Sequence, residues 1–131
     1  MIYFKTLIRF WKPVLWLTVI LILCFLPGND FPTVSIPYMD KIVHMGMFGG
    51  LTIFLLPVIK EMRDKIQRPV LLTVFLNFLL GGIIEILQGT LTQTRSASFF
   101  DLGADVVGSI LAVIVYLYLI SGTRLERILI R

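Results

Sequence analysis

Four long apolar stretches decide what this chain can fold into. They run from Phe10 to Leu26, Ile42 to Ile59, Pro69 to Leu91 and Leu102 to Ile120. A helix that crosses a bilayer needs about 20 apolar residues, within a range of roughly 17 to 25. All four stretches reach that range. The first does so narrowly, with Lys12 near its start, where a lysine can snorkel to the surface. A soluble domain of 131 residues, 57% of them hydrophobic, could not bury so much apolar surface. The expected fold is an all-α membrane protein, a single domain over 1–131 built as a four-helix transmembrane bundle. The first stretch has the basic start of a signal peptide. "CFLPGNDFP" offers no small-x-small cleavage motif, so it is read as an uncleaved span.

Charge sets the direction of the spans. Ten of the 12 Lys and Arg residues fall in the amino-terminal segment, in "KEMRDKIQR" (60–68) and in the tail. The other two connections carry one each, Lys41 and Arg95. This alternation predicts both termini in the cytoplasm. The first 12 residues place Lys5, Arg9 and Lys12 on one helical face, which reads as an interfacial helix on the inner leaflet. The basic excess is thus used by topology and implies no nucleic acid; there is no zinc-finger spacing and no basic stripe interleaved with aromatics. Cys24, the sole cysteine, lies within an apolar run and forms no intrachain disulfide.

With that orientation the polar residues gather on the outer side. Asp40, Lys41 and His44 open span two; Glu85 and Gln88 close span three; Arg95, Ser96 and Ser98 lie in the outer loop; Asp101 and Asp105 open span four. Residues three and four apart share a helix face. Asn77, Gly81, Glu85 and Gln88 therefore form one stripe, and Asp101, Asp105, Gly108 and Ala112 another. Mixed polar and small residues are the makeup of helix-facing surfaces in membrane bundles. The stripes should face each other. A lone carboxylate near mid-bilayer costs a few kcal/mol or more, so Glu85 and Asp105 should be paired, protonated or close to water. Lys41, His44 and Arg95 are the candidate partners, with the Arg95 fork best suited to hold two oxygens at once.

Structural roles compete with functional ones. Ser98 and Asp101 match a capping box for span four, and Asp40 is placed to cap span two. Asn77 reads as helix-packing glue, and Gly46 with Gly50 as a packing pair in span two. None of these roles explains why the ionisable groups keep to one side.

Taken in order, "DKIVHMGMFGGL" (40–51), "EILQ" (85–88) and "RSASFFDLGADVVGSILA" (95–112) resemble the VanZ-like membrane proteins. The shared pattern is Asp-Lys-x-x-His-x-x-x-Phe, then Glu-x-x-Gln, then Arg with small residues, Asp and a following Gly. Asp40, Lys41, His44, Phe48, Glu85, Gln88, Arg95, Ser98, Asp101 and Gly108 match it; Asp105 departs, standing where Asn is common. The resemblance covers spans two to four and not span one or the tail. It implies a multi-pass protein of the bacterial cytoplasmic membrane. It also implies an association with reduced susceptibility to glycopeptide antibiotics, notably lipid-tailed teicoplanin.

The first functional expectation is a binding site in the outer leaflet. Asp40, Lys41, His44, Glu85, Gln88, Arg95, Ser98, Asp101 and Asp105 would hold a charged headgroup while the spans hold its tail. The partners would be membrane lipids, a lipid-linked envelope intermediate or a lipoglycopeptide, with self-association left open. Arg and Lys suit phosphate; the acids suit an amine or sugar hydroxyls. The alternative is a hydrolase or transferase acting on an envelope lipid, with Glu85, His44 and Asp105 as catalytic candidates for acid–base work, and Ser98 as a nucleophile served by His44. No G-x-S-x-G or H-E-x-x-H is present. His44, Glu85, Asp101 and Asp105 form a candidate metal set, but a single histidine among scattered oxygen ligands is a weak zinc signal, so no metal ligand and no cofactor is assigned; a divalent ion bound by the carboxylates is slightly better supported than zinc. A transporter ranks last, since four helices show no inverted repeat.

Overall fold

The structure, a computed structural model, describes residues 8–26, 38–62, 66–91 and 97–131. Among these it is helical nearly throughout and contains no strand. Helix α1 spans Trp11–Phe25, α2 Met39–Glu61, α3 Pro69–Leu91 and α4 Phe99–Val115. A π-helical turn, Tyr116–Ile120, continues α4, and a short α5, Arg124–Ile130, follows.

Three helical segments are long and apolar enough to cross a membrane: α2 and α3 with 23 residues each, and α4 with its π turn at 22. At about 1.5 Å per residue they are roughly 33–35 Å long. The first expected span is the shorter α1, 15 residues, or about 22 Å at the same rise. Its end is written in the sequence. Leu26 precedes Pro27, whose ring disfavours helical geometry in the residue before it, and Leu26 is extended at ψ 137°. Helix α3 begins on Pro69, which needs no amide partner in a first turn. Helices α2 and α4 each start a few residues before the apolar run predicts, because polar residues at their openings are also helical. The expected interfacial helix falls mainly on residues 1–7, outside the described residues.

The most extensive seam joins α2 to α4. A Cβ at Gly108 would run into the backbone of Met45, so only glycine permits this approach. A Cβ at Gly49 would sit 3.2 Å from the Gly108 carbonyl oxygen. Of the packing pair expected at Gly46 and Gly50, Gly50 packs closely, against α1, and Gly46 does not. Gly46 faces open space and Gly50 faces the Trp16 ring. One residue turns a helix by about 100°, so the face that meets α4 carries Met45 and Gly49 instead.

Two apolar clusters fill the bundle. Ile20, Cys24, Met47, Phe48, Leu51 and Ile84 join α1, α2 and α3. Leu56, Val113, Tyr116, Ile120 and Leu129 occupy the other end. Leu71, Phe75, Ile83 and Ile86 of α3 and Ile110, Leu111 and Ile114 of α4 point outward, as lipid-facing residues should.

The end that gathers Lys60 and α5 is closed by polar contacts. Glu126 accepts hydrogen bonds from the Tyr116 hydroxyl, from Lys60 Nζ at 2.9 Å and from the Gly122 amide at 2.5 Å. Gly122 makes the turn into α5 with φ +79°, where a side chain would be strained. Burial pushes the Glu126 carboxyl up, but these three donors outweigh it and hold it below the ordinary carboxylate value. Lys60 also donates to Ser121 Oγ at 2.6 Å, and Lys12 of α1 reaches the carbonyl of Ile128. Arg9 pairs with Glu61 at 2.5 Å.

Candidate functional site

At the opposite end, the start of α2, the end of α3 and the start of α4 converge. His44, Glu85 and Asp105 are 5%, 5% and 1% exposed. The stripes face inward as their spacing predicts: Asn77, Gly81, Glu85 and Gln88 are buried on α3, and Asp105, Gly108 and Ala112 on α4.

His44 Nδ1 lies 2.9 Å from Asp105 Oδ1 across the α2–α4 seam. An ionised carboxylate only accepts, so against ionised Asp105 it is Nδ1 that donates. Glu85 Oε2 accepts the Ser98 amide at 2.7 Å. Ser98 Oγ in turn accepts the Asp101 amide at 3.3 Å, capping α4. The capping box is thus completed differently from the sequence expectation. Glu85 of α3, and not Asp101, takes the amide at the helix start, which pins the mouth of α4 to α3. Asp101 turns toward Lys41, whose Nζ is 3.4 Å from Asp101 Oδ1 and 2.8 Å from Asp40 Oδ2. The first of these is an ion pair only, because Asp101 Oδ1 makes no hydrogen bond.

Other expected site residues stand at the rim or serve packing. Asp40 is exposed and does not cap α2; the residue before the helix is Tyr38, left-handed at φ 62° with no side-chain cap. Gln88 Nε2 donates to the Cys24 carbonyl at 2.8 Å and ties α3 to α1. Trp16 Nε1 makes the matching tie to α2, at 2.8 Å from the Met47 carbonyl. Arg95 and Ser96 lie outside the described residues.

Deeper on the same axis, Asn77 Nδ2 reaches Thr52 Oγ1 at 2.8 Å and Ser109 Oγ at 3.0 Å. The packing role of Asn77 is therefore real, and its partners are Thr52 and Ser109, which the sequence reading does not single out. The signal was available: Thr52 is eight residues after His44 and Ser109 four after Asp105, on the same faces.

Among the described residues, four buried side-chain atoms lack a hydrogen-bond partner: Asn77 Oδ1, Glu85 Oε1, Asp101 Oδ1 and Asp105 Oδ2. All four are oxygens at this one interface. Three belong to carboxylates, which are costly to leave unpaired away from water. A groove of about 450 Å³ lined by Ile66, Gln67, Arg68, Leu71, Leu72 and Phe75 shares no residue with the cluster.

A family model described as VanZ/LLP1 matches residues 1–121. The chain belongs to the VanZ/LLP1 family. The VanZ/LLP1 match includes α1, beyond the spans two to four on which the sequence resemblance rested, and leaves out the end of the tail. No curated protein and no solved structure gives a significant match.

Proposed function

We propose that this VanZ/LLP1-family protein is a multi-pass protein of the bacterial cytoplasmic membrane with both termini in the cytoplasm. Its buried polar cluster then lies in the outer leaflet and receives the charged headgroup of an envelope lipid or lipidated amphiphile. Retention of such a molecule would connect the chain to the glycopeptide (teicoplanin) tolerance that the VanZ name suggests. The topology is supported by the opposite end of the bundle, where Arg9, Lys12, Lys60 and Arg124 collect, as the positive-inside rule requires.

One observation carries the headgroup reading. Three helices bury His44, Glu85 and Asp105 together and leave carboxylate oxygens without donors. The Glu126 network, which holds helices together at the other end, leaves no such carboxylate oxygen. Ammonium groups and sugar hydroxyls are the donors that would complete them. Lys41 at the rim, with Arg95 from the adjoining loop, would take a phosphate. Mass spectrometry of lipids retained by purified protein is the test. Glu85→Ala and Arg95→Ala should each lose a headgroup-bearing lipid that the wild type keeps; an unchanged lipid profile in both sinks the reading. A tag beside Arg95 that reports from the cytosol would sink the topology.

The His44–Asp105 pair favours a second reading. A histidine oriented by a carboxylate through Nδ1 presents Nε2 as a general base. His44 would take the proton from an attacking hydroxyl or water, and Glu85 would serve as the acid toward the leaving oxygen of a lipid ester or phosphoester. Turnover of envelope lipids by the purified protein, lost in Glu85→Gln, would establish this reading in place of simple binding.

A further inference from the structure

We infer that His44, Glu85 and Asp101 form a binding site for a single divalent metal ion, with Asp105 as the residue that orients the histidine. The sequence offers these residues only as a weak candidate set, because they lie on three separate helices and their spacing does not show that they meet. In the folded chain one ligand atom from each residue lies within 4.8 Å of the other two.

Three independent features point to a cation. The first is the orphaned oxygens. Glu85 Oε1 and Asp101 Oδ1 each lack a hydrogen-bond donor, and Glu85 is 95% buried. The second is the histidine. With Nδ1 engaged by Asp105 Oδ1 at 2.9 Å, the nitrogen left to coordinate is Nε2. A carboxylate on the far nitrogen is the usual support of a metal-bound histidine, fixing its tautomer and raising its basicity. The third is the charge balance. Among the described residues the cluster holds three carboxylates, Glu85, Asp101 and Asp105, against one ammonium, Lys41. That ammonium lies closer to Asp40, at 2.8 Å, and is partly exposed, so it can swing to the surface when a cation arrives.

The distances suit the chemistry. Metal–ligand bonds to nitrogen and carboxylate oxygen are about 2.0–2.2 Å, so ligand atoms around one ion stand roughly 3–4 Å apart. One ring nitrogen of His44 and one oxygen of each acid already lie within 4.8 Å of one another, close to that spacing. Glu85 has the rotatable bonds to adjust while its other oxygen keeps the Ser98 amide. One imidazole with two carboxylates is a mixed donor set that suits Zn²⁺ or Mn²⁺ better than Mg²⁺, which prefers oxygen and water. Such an ion would also bind a phosphate headgroup. The site stands on its own donors, however, and does not depend on the headgroup reading.

The test uses metal alone. Tag-free, metal-stripped protein in detergent is dialysed against Zn²⁺ or Mn²⁺ in separate experiments, and bound metal is counted per chain. Wild type should take up about one ion of at least one of the two metals. His44→Ala and Glu85→Gln should bind at least about tenfold more weakly, and Asp105→Ala, which removes the acceptor on His44 Nδ1, about 10–100-fold more weakly. Glu61→Gln, at the other end of the bundle, should bind as wild type. Glu85→Gln keeps an acceptor for the Ser98 amide, so its folding can be checked by size-exclusion profile before its metal content is read. Saturable binding of neither metal by folded wild type overturns the proposal, as does binding that survives both His44→Ala and Glu85→Gln. Metal binding with unchanged lipid retention in the variants would leave this site standing and remove the headgroup reading.

Discussion

Glu85 and Glu126 sit at opposite ends of the same bundle and are treated in opposite ways. Glu126 accepts from the Tyr116 hydroxyl, the Gly122 amide and Lys60 Nζ, and it locks α5 onto the end of α2. Glu85 accepts one backbone amide and keeps a second, buried oxygen without a donor. Folding can satisfy a carboxylate when donors lie close in sequence or space, and at Glu126 it has done so. At Glu85 folding leaves ionisable groups from three helices short of donors, and the proposed ligand would supply the rest.

The largest expected effect tests whether the two ends share one framework. Gly108 lies on the α2–α4 seam between them, and a side chain there meets the Met45 backbone. Gly108→Leu should destabilise the bundle by more than about 3 kcal/mol and erase both ends together. Little folded, monodisperse protein should survive size-exclusion chromatography in detergent.

The next pair of variants should pull the ends apart. Glu126→Gln leaves Lys60 with a weakened partner and should lower stability by roughly 1–3 kcal/mol, seen as an earlier melt in detergent, with lipid and metal retention intact. Glu85→Gln should do the reverse, losing retention at least about tenfold (1.4 kcal/mol per decade) while the melting temperature barely moves. Equal effects on both readouts in both variants would abolish the distinction between lock and site.

Acid should loosen the lock specifically. The Glu126 carboxyl is held below its ordinary value in the folded chain. Its contribution is therefore complete above the unfolded-state value and declines as pH falls through the folded one. The melting-temperature gap between wild type and Glu126→Gln should be full at neutral pH and shrink as pH is lowered below the ordinary carboxylate range. A gap that is flat with pH would show that Glu126 ionisation plays no part.

The smallest effect lies between the ends. Asn77→Ala removes the hydrogen bonds to Thr52 and Ser109. Interhelical hydrogen bonds in membranes average about 0.6 kcal/mol and reach about 1.7, so stability should fall by about 1 kcal/mol. Metal uptake at the site two turns away should be unaffected.

Much of this molecule is legible from residue order. Apolar run length located α2, α3 and α4, and helical spacing picked the buried faces, including Glu85 and Asp105. The carboxylate partners were harder to foresee. Ser98 was read as half of a local capping box, yet its amide is claimed by Glu85, 13 residues away on another helix. Gly50 packs on Trp16 of α1, while the close approach to α4 falls one residue earlier, at Gly49, a rotation that a repeat of small residues cannot reveal. Nothing in the sequence marks Glu126, because its donors come from α2, the π turn and the loop before α5.

By itself, then, the sequence determined that the chain forms apolar helices with charged ends and which side of each helix turns inward. Periodicity and the cost of exposing peptide groups to lipid are properties of each segment alone. Only the tertiary structure decided which inward side chain meets which. The pairing of His44 with Asp105 and of Glu85 with Ser98, and the closeness of His44, Glu85 and Asp101, depend on how far each helix slides and rotates against its neighbours. That register is set by close packing at Gly108 and Gly49, summed over contacts between segments distant in the chain.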